Sequence, residues 1–361
     1  MRIYIYWALL LLAGCQPKDF PADTLIVPAT NIITADYETP PVPSRVGKDA
    51  ADDPAIWYNA AAPEKSAVIG TVKRYGLEVY DLKGQKRHSY KTGNPNNVDI
   101  RNGFSLKNGD RIDLAVCSDR STNEILVFKI NPADASLELL PGGRIPTSLD
   151  EVYGICLYKS YPAGDLYVFV NGKDGSVQQY HLFATDQNGI GGKLVRQFKL
   201  NSQPEGMVAD DRMGKIYLGE EDKGVWTLDA SPDLPAKPVF LAGSSSENPG
   251  VAYDIEGISI YTISDTTGYL LVSSQGNNSY AVFSREAGNK YLTSFIIGDG
   301  IVDGTAETDG LDICSQPLGD NYRQGLLVVQ DGFNTGIKEK PAPQNFKLIS
   351  FEKVLRAING N

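Results

Sequence analysis

Six short segments of this sequence share one form, in which a polar or acidic residue, often beside a small one, leads into an alternating apolar run. They are DDPAIWY from Asp52, NNVDIR from Asn96, EVYGICLY from Glu151, PEGMVADD from Pro204, DIEGISIY from Asp254 and TDGLDICS from Thr308. Successive starts lie about 50 residues apart, within the period of propeller blades. Each is followed by a second apolar run, a short polar turn and a third, aromatic-rich run, as in GKIYLGEEDKGVWTLDA and GYLLVSSQGNNSYAVFSR. Such runs are hairpin signals. Helical periodicity is confined to FEKVLRAI near the end, enough for a turn or two. Small sheets that cannot bury both faces alone must pack radially, so the expected fold is all-β, a six-bladed β-propeller. A pair of β-sandwiches would leave the constant period unexplained.

The start of the chain is different. MRIYIYWALLLLAGCQPK carries one Arg, an apolar run too short to span a bilayer, and then Leu12-Ala13-Gly14-Cys15. Residues 1–14 read as a lipoprotein signal peptide, with cleavage before Cys15 and acylation of its thiol. Gln16 in place of Asp favours an exported, outer-membrane-anchored protein. Residues 15–45, rich in Pro, Thr and Asp, read as a tether with a possible blade-closing strand in TLIVPATNII; residues 46–361 form the propeller domain. The expected state is a monomer whose contact with the membrane is the lipid alone. Cys117, Cys156 and Cys314 remain, an odd number without a CxxC, so neither a disulfide framework nor a zinc site is expected. His88 and His181 are the only histidines, which leaves little material for imidazole chemistry. The formal net charge of −10 argues against nucleic acid as a partner.

Propeller topology constrains the chemistry. If the first strand of each blade lines the central channel, the turn between its second and third strands lies at the same end as the start of the first. Strand starts then bring Asp52, Asp53, Asn97, Asp99, Glu151, Tyr153, Glu205, Asp254, Glu256 and Asp309 to one face. Hairpin turns bring Lys73, Arg74, Arg120, Lys173, Asp174, Glu220, Glu221, Asp222, Gln275, Asn277 and Asp331 to the same face. Cations come from blades one to three and carboxylates mainly from blades four to six. So many acids on one face repel unless neutralised, and oxygen ligands of this kind suit Ca²⁺ or Mg²⁺. Asp53 and Glu221 count among the candidate ligands, and the Gly-rich run DGIVDGTAETDG adds Asp303. Cations beside bound metal suit a phosphate ester hydrolysed by direct attack of metal-activated water, with no covalent enzyme intermediate.

The motifs DDPAIW, NNVDIR, EVYG, EGMVADD, DIEG, SSQGN and TDG, in this order, resemble a bacterial β-propeller phytase over nearly the whole mature chain. The resemblance implies a calcium-dependent 3-phytase, an enzyme that uses several Ca²⁺ ions to remove phosphates from myo-inositol hexakisphosphate (phytate, or calcium-phytate). By position, Asp52, Glu205, Glu220, Asp254, Glu256, Gln275 and Asp309 would be catalytic calcium ligands. Lys73, Arg120, Tyr153 and Lys173 would grip the phosphate being cleaved, with Arg74, Asp174 and Gln275 as further substrate contacts. Asn97, Asp303 and Asp331 fall where the family has structural calcium sites. Lys73-Arg74 replaces a frequent lysine pair, and Lys173-Asp174 shortens a Lys-Glu pair by one methylene. A less specific Ca²⁺-dependent phosphatase, a calcium-dependent lactonase and a non-catalytic ligand-binding propeller are the competing readings.

Overall fold

The computed structural model describes residues 31–335 and 340–360. The signal segment, Cys15 and the first part of the tether therefore lie outside the described residues. Six sheets, antiparallel except for one added edge strand, follow one another along the chain. Blade one comprises strands Ala51–Trp57, Ala67–Val72, Gly76–Asp81 and Lys86–Lys91; blade two comprises Pro95–Ser105, Arg111–Asp119, Glu124–Ile130 and Leu137–Pro146. Blades three and four have inner strands Val152–Lys159 and Pro204–Asp210, and blades five and six Ile255–Thr262 and Leu311–Cys314. Each inner strand neighbours the next, and blade six returns to blade one, so the ring is closed.

Closure uses the N-terminal segment. Tyr37–Glu38 pairs antiparallel with Asn345–Ser350 and supplies the outer strand of blade six. Asn31–Thr34 adds a fifth strand to blade five, parallel to Tyr291–Gly298. The C-terminal helix Phe351–Asn359 is longer than the turn or two expected from its pattern. It buries Phe351, Val354 and Ala357, and Phe351 stacks on Tyr261 with ring centroids 3.8 Å apart.

Hydrophobic burial follows the radial plan. The core is six clusters, each shared by two adjacent blades: Trp57 and Ile69 pack with Leu126 and Ile100, and Phe169 with Ile216 and Leu218. Cys117, Cys156 and Cys314 are free and buried within these layers.

One irregularity recurs. In five blades the ladder between the first and second strands breaks two residues after the first pairing, between Ala51/Pro54, Pro95/Val98, Val152/Ile155, Pro204/Met207 and Ile255/Ile258. Each break is a β-bulge, which leaves residues unpaired and re-aims their side chains. The unpaired residues are Asp52-Asp53, Asn96-Asn97, Tyr153-Gly154, Glu205-Gly206 and Glu256-Gly257, with Asp309-Gly310 just ahead of the sixth inner strand. The glycines allow neighbouring blades to touch. A Cβ on Gly154 would lie 2.0 Å from the Glu205 carbonyl oxygen, one on Gly206 2.1 Å from that of Glu256, and one on Gly310 2.7 Å from that of Asp52. Small polar side chains on second strands secure the same junctions: Ser118 Oγ donates to Tyr153 O (2.6 Å), Asn171 Nδ2 to Glu205 O (3.0 Å) and Ser273 Oγ to Thr308 O (2.7 Å).

Gly206→Ala is therefore expected to force two blades apart and to destabilise the protein by about 1–3 kcal/mol. Urea unfolding with chelator present measures this, and an unchanged midpoint would show that the junction is not close-packed.

Candidate active site

Five bulges, and the residue just ahead of the sixth inner strand, put one side chain per blade around the mouth of the channel: Asp52, Asn96, Tyr153, Glu205, Glu256 and Asp309. All are buried except Asp309, which is half-buried. Glu205, Glu256 and Glu221, the last from the second turn of blade four, present carboxylate oxygens within 4.8 Å of one another. On the blade-one side, Lys73 Nζ lies 2.9 Å from Asp309, 2.7 Å from Asp49 and 3.7 Å from Asp52. Gln275 donates to Asp309 Oδ1 at 2.7 Å.

Burial makes this arrangement costly. It pushes the carboxyls of Asp52 and Glu256 well above the usual carboxylate range, and neighbouring acids add to the effect. Asp309 and Glu221 are each raised to about 7, again mainly by burial. Burial alone would lower the Lys73 ammonium, but Asp52, Asp309, Glu205 and Asp49 outweigh it and hold the amine charged. Both oxygens of Asp52 and Oε2 of Glu256 are buried without a hydrogen-bond partner. Buried carboxylates left without donors, arranged around one point, fit a hard dication with an oxygen ligand shell.

A cationic group adjoins the acids. Lys173 Nζ lies 4.6 Å from the centroid of the Tyr153 ring and the Arg120 guanidinium 5.9 Å from it. Lys173 is also 3.5 Å from Glu151. Burial, and then the facing Glu205, Asp52 and Glu256, keep the Tyr153 phenol protonated far beyond its ordinary range. Lys73, Arg120, Tyr153 and Lys173 thus meet at one mouth, against the carboxylates.

Several expected site residues lie elsewhere. Glu220 is fully buried, but it is not part of the ring: Oε1 accepts from Ser202 N (2.6 Å) and Oγ (2.8 Å), and Oε2 from Trp226 Nε1 (2.7 Å). Consecutive residues face opposite ways, so Glu221 reaches the ring and Glu220 does not. Asp254 precedes the strand rather than standing two positions along it from Glu256; it is exposed, close enough to Glu221 to help raise it. Asp53 joins blades one and two, accepting from Val98 N at 3.0 Å. Asp174 caps its own hairpin, accepting from Ser176 N (3.0 Å) and Lys199 Nζ (2.8 Å), and the Lys199 hydrogen bond leads in lowering its pKa to about 2.

Asn97 is buried but faces Asn96, whose Nδ2 donates to Asn97 Oδ1 (2.8 Å) and to Glu205 Oε1 (2.6 Å). Asn96 is the ring member that sequence reasoning passed over. Its place as first residue of the NNVDIR segment, equivalent to Asp52 of DDPAIW, was the available signal. Asp303 and Asp331 lie on the outer part of blade six, where with Glu38 they surround the wholly buried Lys347 ammonium; Glu38 is 2.6 Å and Asp331 3.2 Å from Nζ. Asp99 lies deeper along the inner strand, where it pairs with Arg101 (2.9 Å) and accepts from Leu157 N (2.7 Å).

The chain is similar in sequence to known proteins. A family model described as Phytase matches residues 12–361. The chain is 44% identical over 331 residues to the 3-phytase of Bacillus subtilis (strain 168), spanning 90% of this chain and 85% of that protein. Among solved structures, the nidogen/laminin complex covers 67% of this chain and 78% of its own at 16% identity, with a TM-score of 0.44. The computationally designed Ika8 protein covers 82% and 70% at 13% identity, with a TM-score of 0.40.

Adjacent glutamates separate structure from metal affinity. Glu220→Gln turns an amide donor toward the Ser202 or Trp226 donors and is expected to cost about 1–3 kcal/mol of stability. Glu221→Gln is expected to leave stability nearly intact and to weaken calcium binding by about tenfold or more in calorimetry. The reverse pattern would exchange their roles.

A second expectation concerns pH. Asp309 and Glu221 titrate near 7 in the folded state, against ordinary values of about 4 in the unfolded chain. Between these limits the folded state holds more protons, so stability in chelator falls as pH rises from about 4 to about 7. Calcium should flatten or reverse that slope. A chelated protein whose melting temperature rises through this window would contradict the assignment.

Proposed function

The chain belongs to the phytase family, and from that we propose that it is a calcium-dependent phosphomonoesterase that releases phosphate from phytate or its calcium salt. One observation carries the reading: buried, partner-poor carboxylates and a set of cations meet at a single mouth of the channel. Asp52, Glu205, Glu221, Glu256 and Asp309, with Asp254 and Gln275 at the rim, would hold more than one calcium ion. Bound calcium neutralises these acids, polarises the phosphoryl group and lowers the pKa of water.

Side chains supply the rest. Lys73, Arg120 and Lys173 offer charged donors to the phosphoryl oxygens, in the geometry that offsets charge developing as phosphorus is attacked. Tyr153, held protonated, donates a hydrogen bond rather than taking a proton. Lys73 bridges the two groups, since it touches Asp309 and lines the same cavity as Arg120. Asn96 fixes the orientation of Glu205.

Neither histidine can act as base. His88 Nε2 contacts the Asp134 carbonyl oxygen (2.9 Å) on an outer strand, and His181 packs 5.2 Å from the Tyr167 ring. With the histidines out of reach, water oriented by the carboxylates would be the attacking group: its oxygen bonds to phosphorus as the bond to the inositol oxygen breaks, and the proton it gives up to a ring carboxylate is returned to the departing alcohol.

Phosphate release from phytate, followed colorimetrically, should require calcium, stop with chelator and return on adding calcium. Arg120→Ala and Lys173→Ala should each lower kcat/KM by about 100-fold or more, with the melting temperature nearly unchanged. Equal turnover of phytate and simple monoesters would instead favour a general phosphatase, and no release from phytate by calcium-loaded protein would end the reading.

A further inference from the structure

Glu205, Glu221 and Glu256 bring their carboxylates to one point by different routes. Glu205 and Glu256 are aimed by bulges in buried inner strands. Glu221 stands just past the end of the second strand of blade four, in the hairpin turn, and is half-buried. No bulge aims it, and fixing so long a side chain in one direction costs rotamer entropy. The like charges of Glu205 and Asp254 push its carboxylate away, while Lys173 draws it. A further contact must therefore keep Glu221 turned to the ring.

The backbone of Glu221 is tied on both sides. Glu221 N donates to Gln203 O at 3.0 Å, and Ile255 N, one residue before Glu256, donates to Glu221 O at 2.9 Å. The neighbouring residues repeat the link, since Ser202 N donates to Glu220 Oε1 at 2.6 Å and Ser202 Oγ lies 2.7 Å from Asp222 Oδ1. The residues that lead into the inner strand of blade four are thus stapled to the turn. These contacts leave the direction of the Glu221 carboxylate open. Gln203 Nε2 closes it, donating to Glu221 Oε1 at 2.5 Å. Among the described residues no other side chain donates a hydrogen bond to this carboxylate. One amide on one oxygen leaves most of the carboxylate's lone pairs free for a metal ion.

We propose that Gln203 is a positioning residue for calcium, whose side-chain amide holds Glu221 Oε1 and so presents that carboxylate to an ion shared with Glu205 and Glu256. This rests on the calcium reading above. Gln203 stands two residues before Glu205, so one short segment sets two of the acids, one through its own backbone and the other through an amide. Outer contacts of this kind tune the affinity of a metal site by orienting its ligands. Gln203 touches neither the phosphate nor the attacking water in this role, so its loss falls on calcium occupancy rather than on the grip of Lys73, Arg120 and Lys173.

The test is calorimetry with calcium alone on the full protein and on Gln203→Met, which keeps the length of the side chain and removes the donor. Calcium affinity should weaken about tenfold, while the melting temperature in chelator falls by no more than about 3 °C. Phosphate release from phytate should need about tenfold more free calcium to reach half its maximal rate, with kcat at saturating calcium within about threefold of wild type. In a Glu221→Gln background the same change should weaken calcium binding by less than about twofold, because the amide then has no carboxylate to hold. Equal calcium affinity in wild type and Gln203→Met overturns the role, as does a full loss that persists beside Glu221→Gln. A lower melting temperature with unchanged affinity also overturns it, by making Gln203 structural only. If wild-type protein binds no calcium, the calcium reading fails and takes this role with it. Calcium-loaded wild type that releases no phosphate from phytate ends the activity reading alone, and calorimetry still decides Gln203.

Discussion

An interruption of hydrogen bonding near the start of the inner strands organises the whole site. A regular strand would turn successive side chains to opposite faces of its own blade, where the neighbouring blade would cover them. The bulge frees residues from the ladder and turns one toward the channel. Repeated around the ring, it brings Asp52, Asn96, Tyr153, Glu205 and Glu256 to one level without any long loop. The residue after each acid in blades four to six is glycine, because the carbonyl or backbone of the next blade occupies the space of a side chain. In blades one and two Asp53 and Asn97 stand at that position, and Asp53 bonds the next blade's Val98 amide instead. The same junction therefore joins neighbouring blades and aims the chemistry.

Electrostatics runs against stability at this level. Asp52, Glu205, Glu256 and Asp309 converge with Lys73 as the buried cation among them, and burial raises the carboxyls that it isolates. Elsewhere the fold treats buried charge differently. Arg285 grips Asp210 at 2.6 and 2.8 Å and also donates to the carbonyls of Ser264 and Thr267, so that pair is fully satisfied. Lys347 is enclosed by three carboxylates. In the ring, by contrast, both oxygens of Asp52 and one of Glu256 are buried without a hydrogen-bond partner, and several acids share one cation.

The sequence carried the repeat, the hairpins and the convergence of acids with Lys73, Arg120 and Lys173, because alternation and turn chemistry are local. It did not carry the fourth strands. KRHSYK and VRQFK are polar on their exposed faces and give no apolar signal, and in blade four the outer strand is only Val239–Phe240. The bulge was invisible for a related reason, since it depends on backbone from another blade. Without it, Asp254 and Glu256 look like neighbours on one face, and Glu220 looks as eligible as Glu221. Asn96 was hidden beside Asn97 because only the register shift decides which amide points inward.

The path of the N-terminal segment links closure of the ring to the mouth of the channel. Tyr37–Glu38 completes blade six, and within a few residues Val42 and Ala50 bond to Gln344 of the same blade. The chain then enters the inner strand of blade one at Ala51, so residues 43–49 have no course except over the seam where the ring closes. That seam adjoins Lys73 and Arg74 in the first hairpin turn and Arg120 in the second blade. A segment required for closure thereby becomes a wall of the cavity beside the acids. Most of its side chains are exposed, and Asp49 reaches Lys73 at 2.7 Å, so the segment is tied to the mouth of the channel as well as to the seam.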